Sequence, residues 1–300
     1  MLKIAWSKIY AHPLPEEHRF PMIKYDLILE QLLYEGTISM SNVFEPSTIS
    51  NEVVLYTHQL EYYNHLKNLT LPISEIRRIG FPLTKELVER EEIIMGGTLE
   101  ASIFALHSGI GMNIAGGTHH AFTNRGEGFC LLNDMAIAAN YLLVRNNNWK
   151  VLVIDLDVHQ GNGTAQIFSK ESRVFTFSMH GKNNYPYHKE VSDLDVELPD
   201  KMNDDAYLSL LQHHLKNLIE QVEPNFIFYQ SGVDVLRTDK LGKLALTKEG
   251  CKERDRMVLK SCKENNIPIS ISMGGGYSHK ISDIVDAHCN TFRLAQEIYF

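Results

Sequence analysis

An α/β domain built on a parallel sheet is what this sequence predicts, and three observations predict it. Short apolar runs recur at Val151–Ile154, Val174–Phe177, Phe226–Tyr229 and Ile267–Ile271. Longer segments with spaced apolar residues lie between them, as at Tyr207–Val222 and Thr247–Asn265. Strands buried on both faces and alternating with helices are the pattern of a parallel sheet covered on two sides. The third observation is that reactive-looking residues follow the apolar runs, where ligands bind in such sheets.

Taken in order, Lys3–Trp6 reads as a first strand and Gly109–Ala115 as another, before the four clear runs. The longest irregular stretch is Gly181–Pro199, which carries Asn183-Asn184-Tyr185-Pro186 and then a charged run. It is expected to be a surface loop rimming a site. No repeat, low-complexity tract or Pro/Gly/Ser-rich linker divides the chain, so residues 1–300 are read as one domain.

The formal net charge is −8 and 44% of residues are hydrophobic. That balance argues against nucleic acid as a direct partner, because phosphate binding needs a basic surface that releases counterions. A net negative field would attract polyamines or lysine-rich tails. The four cysteines, Cys130, Cys251, Cys262 and Cys289, form no close metal-ligand pair and no disulfide framework. No run approaches a membrane span and the N-terminus lacks a long apolar leader, so a soluble cytoplasmic protein is expected.

The sharpest motif is Asp155-Leu156-Asp157-Val158-His159-Gln160-Gly161-Asn162-Gly163, directly after Val151–Ile154. Strand alternation would put Asp155, Asp157 and His159 on one side. Buried carboxylates are costly unless paired or metal-bound. Asp234 follows the run Phe226–Tyr229 and a small-residue turn. Two Asp and one His suit a divalent ion with a fourth position left for water or substrate, the pattern of catalytic rather than structural zinc. Gly116-Gly117-Thr118-His119-His120 lies beyond another apolar run. Beside a metal, one imidazole can take a proton from water while the other stabilises an oxyanion or protonates a leaving amine. Ser272-Met273-Gly274-Gly275-Gly276-Tyr277 ends the last run. Its glycines allow close backbone approach, and the Tyr277 hydroxyl can bind a developing oxyanion. A phosphate-binding turn is the rival reading of the glycines, but no GxGxxG or Walker lysine accompanies them.

His119-His120, Asp157-Val158-His159, Asp234 and Gly275-Gly276-Tyr277, in that order, resemble the zinc-dependent histone deacetylase family, from about Tyr10 to near the C-terminus. Gly126–Asp134 is similar to that family's glycine-phenylalanine-cysteine segment. Gln160 after His159, with Asp234-Val235-Leu236 and Asp239–Gly242, resembles the class IV branch and its bacterial relatives. The resemblance implies the single-domain arginase-deacetylase fold, with a central parallel sheet of about eight strands and helices on both faces. It implies one zinc held by Asp157, His159 and Asp234. It makes His119 and His120 the acid/base pair and Tyr277 the group that polarises the acyl carbonyl. Gly128, Phe129, Gly275 and Gly276 would line the tunnel that grips an acylated lysine stem. Arg19 resembles the arginine lining the cavity below the metal. Asp155, Ser178 and Met179, with backbone groups of Asp157 and His159, resemble the family's inner monovalent-cation site, usually potassium.

One departure stands out. Many relatives place an aspartate where Asn162 stands, and an uncharged partner should favour the imidazolium form of His120 less. His120 is therefore expected to act mainly as general base or shared acid. The implied reaction is hydrolysis of an acyl-lysine, or of an acylated polyamine or metabolite, with acetyl and longer acyl groups both open. A two-manganese ureohydrolase would need more carboxylate ligands than this sequence supplies, and a non-catalytic acyl-lysine-binding module would not need every catalytic residue.

Overall fold

The strands of the chain are β1 (Lys3–Ala5), β2 (Val43–Phe44), β3 (Ile110–Asn113), β4 (Val151–Asp155), β5 (Val174–Gly181), β6 (Leu194–Leu198), β7 (Phe226–Gln230) and β8 (Ile269–Ser272). In the computed structural model, which describes residues 1–300, all eight join one sheet in the order β2-β1-β3-β8-β7-β4-β5-β6. Every pairing is parallel.

The apolar runs form the centre of that sheet because both faces are covered. Along β4 and β7, alternate side chains enter opposite cores, as the twofold repeat of a strand requires. Val151, Val153, Phe226 and Phe228 pack with Ala136, Ala139 and Leu143 of α6 (Asp134–Arg145). Leu152, Ile154, Ile227 and Tyr229 join the larger cluster. That cluster takes in Leu211 and Leu215 of α8 (Asp204–Val222) and Val258 and Leu259 of α9 (Lys248–Glu264). The expected segments Tyr207–Val222 and Thr247–Asn265 are thus helices α8 and α9, the second opened by Thr247, whose hydroxyl accepts from the Gly250 N–H at 3.0 Å.

Two expectations about loops and edges are corrected. Gly181–Pro199 is not wholly irregular, since Leu194–Leu198 pairs with Phe177–Gly181 as the edge strand β6. Its alternating Leu-Asp-Val-Glu-Leu pattern is that of a strand with one solvated face, where charges also discourage edge pairing with other chains. The two-residue β2 is too short to announce itself in sequence. The run at Ile267 starts as a strand only from Ile269, because Pro268 has no N–H to donate to the ladder.

A buried cation joins α9 to the loops that matter for function. Arg254 is fully buried and donates from Nη1 to the carbonyls of Leu156 at 3.1 Å and Gly232 at 2.6 Å, in the segments leaving β4 and β7. Its charge is met by Asp255, whose carboxylate also accepts from Tyr229 at 2.5 Å and Thr291 at 2.6 Å. Removing one member of such a pair strands the other charge in the core. Asp255→Ala should therefore cost about 3–5 kcal/mol, read as a lower denaturant midpoint with an unchanged slope.

Candidate active site

Four neighbouring strands, β3, β8, β7 and β4, deliver the site at their carboxyl ends. The chain bends away after Asp155, the last residue of β4, so the three groups of the Asp-x-Asp-x-His run part company. Asp155 turns to His119, its Oδ2 accepting from Nδ1 at 2.7 Å. Asp157 and His159 meet Asp234 instead: His159 Nδ1 lies 3.0 Å from Asp157 Oδ1 and 3.1 Å from Asp234 Oδ2. One ligand atom from each of these three buried residues lies within 4.8 Å of the others.

The carboxylates are held by backbone. Val158 N–H donates to Asp234 Oδ1 at 3.0 Å, His159 N–H to Asp157 Oδ1 at 2.9 Å, and Gly275 N–H to Asp157 Oδ2 at 2.8 Å. A Cβ on Gly275 would stand 1.9 Å from Asp234 Oδ2, so only glycine allows this approach. Burial and the Asp157 charge push the Asp234 carboxyl up to about 7. Burial opposes charge on His159, but Asp234 and Asp157 outweigh it and hold that imidazole up at about 10. Two buried carboxylates that repel each other, with one imidazole between them, form a donor set that fits a divalent cation.

The histidine pair sits on the loop after β3. A single carboxylate fastens that loop: Asp134 accepts from the N–H groups of Gly117 and Thr118 and from the hydroxyls of Thr118, Thr98 and Ser272, all within 3.0 Å. The His119 and His120 rings lie 4.1 Å apart between centroids and have different partners. Burial works against charge on His119, yet Asp155 outweighs it and raises the pKa. His120 is driven well below the ordinary range by burial, then by His119 and His159.

Asn162 proves to be one link of a longer chain. Its Oδ1 lies 2.7 Å from His120 Nδ1, while its Nδ2 donates to Glu127 Oε1 at 2.8 Å. The second bond fixes the amide's orientation, so His120 carries its proton on Nδ1 and presents a free Nε2 lone pair. Tyr185 also donates to Glu127 Oε1, at 2.6 Å. The carboxylate that many relatives place beside the second histidine thus stands one residue further back here.

Tyr277 is fixed by its backbone N–H, which donates to Asp239 Oδ2 at 2.6 Å. Burial, with Asp234 and Asp157 adding to it, raises its phenol well above 10, so it stays a donor. Gly128 and Phe129 line the chamber, with Phe20 edge-on and Phe81 tilted against Phe129 at 5.3 and 5.1 Å. Phe129 adopts a left-handed backbone, φ 68°, held by N–H bonds from Phe129 to Ile79 O at 2.7 Å and from Gly128 to Arg78 O at 3.1 Å. Both acceptors belong to α4 (Ile73–Ile79). Gly275 lines the same chamber, but Gly276 faces Val233, Ile284 and His288 on the core side.

Arg19 is corrected. It is exposed at the mouth, its guanidinium 4.9 Å from the Phe129 ring centroid, rather than in the cavity beneath the ligands. The deep cations are Arg90 and Lys24. Arg90 lines the chamber, donates from Nε to Tyr10 O at 2.8 Å and pairs with Glu91. Lys24 donates to Gly274 O at 3.0 Å; burial lowers its pKa to about 8 against the pull of Asp234 and Asp157. The one signal for Lys24 was the stripe Tyr25, Ile28, Leu29, Leu32 of α1 (Lys24–Tyr34), whose buried face includes Lys24. Asp155 and Ser178 are register partners of β4 and β5, with Met179 next along β5 and buried; the Ser178 hydroxyl lies 2.9 Å from His180 Nδ1.

With this geometry in view, comparison with known proteins gives one answer. The family described as histone deacetylase domain matches residues 18–292. An uncharacterised protein of Picosynechococcus is 43% identical over 296 residues, covering 99% of each chain. Histone deacetylase 2 of Arabidopsis thaliana is 29% identical, over 89% of this chain and 72% of that protein. The acetoin utilization protein AcuC of Staphylococcus aureus is 27% identical, over 80% of this chain and 67% of that protein. A histone deacetylase homologue from Aquifex aeolicus has the same fold, with a TM-score of 0.84 at 23% identity over 97% of this chain and 82% of that one. A structure of such a homologue complexed with SAHA gives 0.83 at 23% identity, over 98% and 82%. The chain belongs to the histone deacetylase family, whose fold is that of the arginase-deacetylase enzymes.

The Glu127–Asn162–His120 chain makes a prediction about proton transfer. Asn162→Asp alone sets two carboxylates against each other and should lower kcat/KM at least tenfold. Adding Glu127→Gln restores a donor between them and should recover most of that loss. The charge then lies beside His120 and raises its pKa, so the acidic limb of the pH profile moves to higher pH. Rate profiles of the three variants would check both statements.

Proposed function

We propose that the protein is a zinc-dependent deacylase that hydrolyses the acetyl amide of an Nε-acetyl-lysine or a related acylated amine. The observation that carries this reading is the meeting of Asp157, His159 and Asp234 with the His119–His120 pair and Tyr277 around one enclosed chamber. The single three-ligand cluster supports one metal per chain rather than two, since Asp155 is engaged by His119 and Asp239 by backbone N–H groups. Asp155, Ser178 and Met179 are our proposed setting for a potassium ion.

Zinc, when bound, polarises the acyl oxygen and acidifies a water. The remaining steps belong to the chain. His120 Nε2 takes the proton from water, with Nδ1–H anchored on Asn162. The Tyr277 hydroxyl donates to the oxygen that becomes an oxyanion, and preorganised donors of this kind are worth most in a site closed to water. His119, whose charge Asp155 stabilises, keeps a proton close to the departing amine. The apolar stem of the substrate lies along Phe129 and Phe20, which shield the amide from solvent.

The chamber supports a short acyl group. The space it leaves for a ligand is about 40 Å³, which suits a group as small as acetyl. This favours acetyl, against the longer acyl groups towards which the class IV-like motifs point.

Three outcomes are expected. In a panel of acetyl-, octanoyl- and myristoyl-lysine peptides, acetyl should turn over fastest, and a chelator or the hydroxamate SAHA should stop it. Elemental analysis should find one zinc per chain. Tyr277→Phe should lose roughly 100- to 1,000-fold in kcat with zinc retained. Near-normal turnover by that variant would remove Tyr277 from the mechanism.

A further inference from the structure

The recess that opens onto the chamber carries positive charge and no negative charge. It encloses about 350 Å³ and is lined by Arg19, Arg77, Arg78 and Lys243 together with Tyr185 and Tyr187, and no Asp or Glu contributes to its wall. All four cationic side chains are exposed. None of the four has a carboxylate oxygen within 4 Å, although the chain as a whole has 37 acidic against 29 basic residues. On a protein of net charge −8, four unpaired cations around one opening are a local inversion of the global balance.

Their placement ties them to the tunnel. The Arg19 guanidinium covers the Phe129 ring. The Arg78 carbonyl accepts the Gly128 N–H, which sets that residue at the tunnel edge. Lys243 Nζ donates to the Asn183 carbonyl at 2.8 Å on the opposite loop. Three separate segments therefore converge with the same sign. Arginine forks match carboxylates in two-point hydrogen bonds, and like-signed charge at a cleft concentrates its counter-ion there.

We propose, resting on the deacylase reading above, that the substrate is an acylated amine bearing carboxylate groups beside the acylated stem. An acidic acetyl-lysine peptide and a free acetylated amino acid share that chemistry. A polyamine or a lysine-rich tail has the opposite sign and is repelled at the mouth, whatever the protein's net charge.

The test uses the zinc-loaded protein and three fluorescein-labelled acetyl-lysine peptides, with glutamate, serine or lysine flanking the modified residue. Both kcat/KM and the Kd from fluorescence anisotropy are measured. The glutamate peptide should show a kcat/KM about tenfold higher and a Kd about tenfold lower than the lysine peptide, and both gaps should close as ionic strength rises towards about 0.5 M. Arg77→Glu with Arg78→Glu should invert the ranking, chiefly through KM. Lys243→Glu, on a different loop, should narrow it if the double variant fails to fold. Faster hydrolysis of free Nε-acetyl-lysine than of its carboxamide, relative to the peptides, would identify the small molecule as the source of the carboxylate. Turnover without charge discrimination, or a ranking that charge reversal leaves in place, overturns the proposal and spares the deacylase reading. Anisotropy that ranks glutamate first with no turnover of any peptide upholds the proposal for the mouth and overturns the reaction.

Discussion

Asp157 and Asp234 share one buried site, and much of the rest of the molecule exists to make that tolerable. An isolated buried carboxylate is costly, and two facing each other are worse. The cost is offset by Val158 and Gly275 N–H groups, by the His159 imidazole between them and by a donor set open to a cation. Each of these supports comes from the carboxyl end of a central strand. The order β3-β8-β7-β4 brings four loops to one point, and Arg254 pins two of them by the carbonyls of Leu156 and Gly232. The fold is thus a device for bringing like charges together in a buried site.

The two adjacent histidines show how partners divide roles between identical side chains. His119 rests on a carboxylate that raises its pKa; His120 rests on an amide, and burial lowers its pKa. The amide is itself held by Glu127, so the negative charge is present but reaches the ring only through a neutral link. A proton acceptor poised in this way has its basicity set by distance to charge as well as by burial.

What could be read from the sequence was local. The central strands are continuous apolar runs because both faces are covered, and the candidate ligands Asp157, His159 and Asp234 follow them within a few residues. The parts that escaped are those assembled from distant segments. Glu127 stood in plain view between two glycines, but its use depends on Asn162 and Tyr185, brought to it by other loops. Lys24 looks like a surface lysine at a helix start and is buried under the site. Arg19 was placed too deep because a motif gives order along the chain and not depth. Net charge is blind to place in the same way: the cations of the mouth come from three segments, and a sum over 300 residues cannot show that they meet.

Phe129 has a further consequence. Its left-handed backbone is maintained by two hydrogen bonds to α4 carbonyls, while the side chains of Arg77 and Arg78 on that same helix point freely into solvent. The backbone of α4 therefore supports the chamber wall, and its side chains add to the positive charge of the entrance. The two properties are separately adjustable. On the proposed reading, substitution at the rim alone would exchange one class of polar substrate for another, with the bore and the chemistry beneath it left intact.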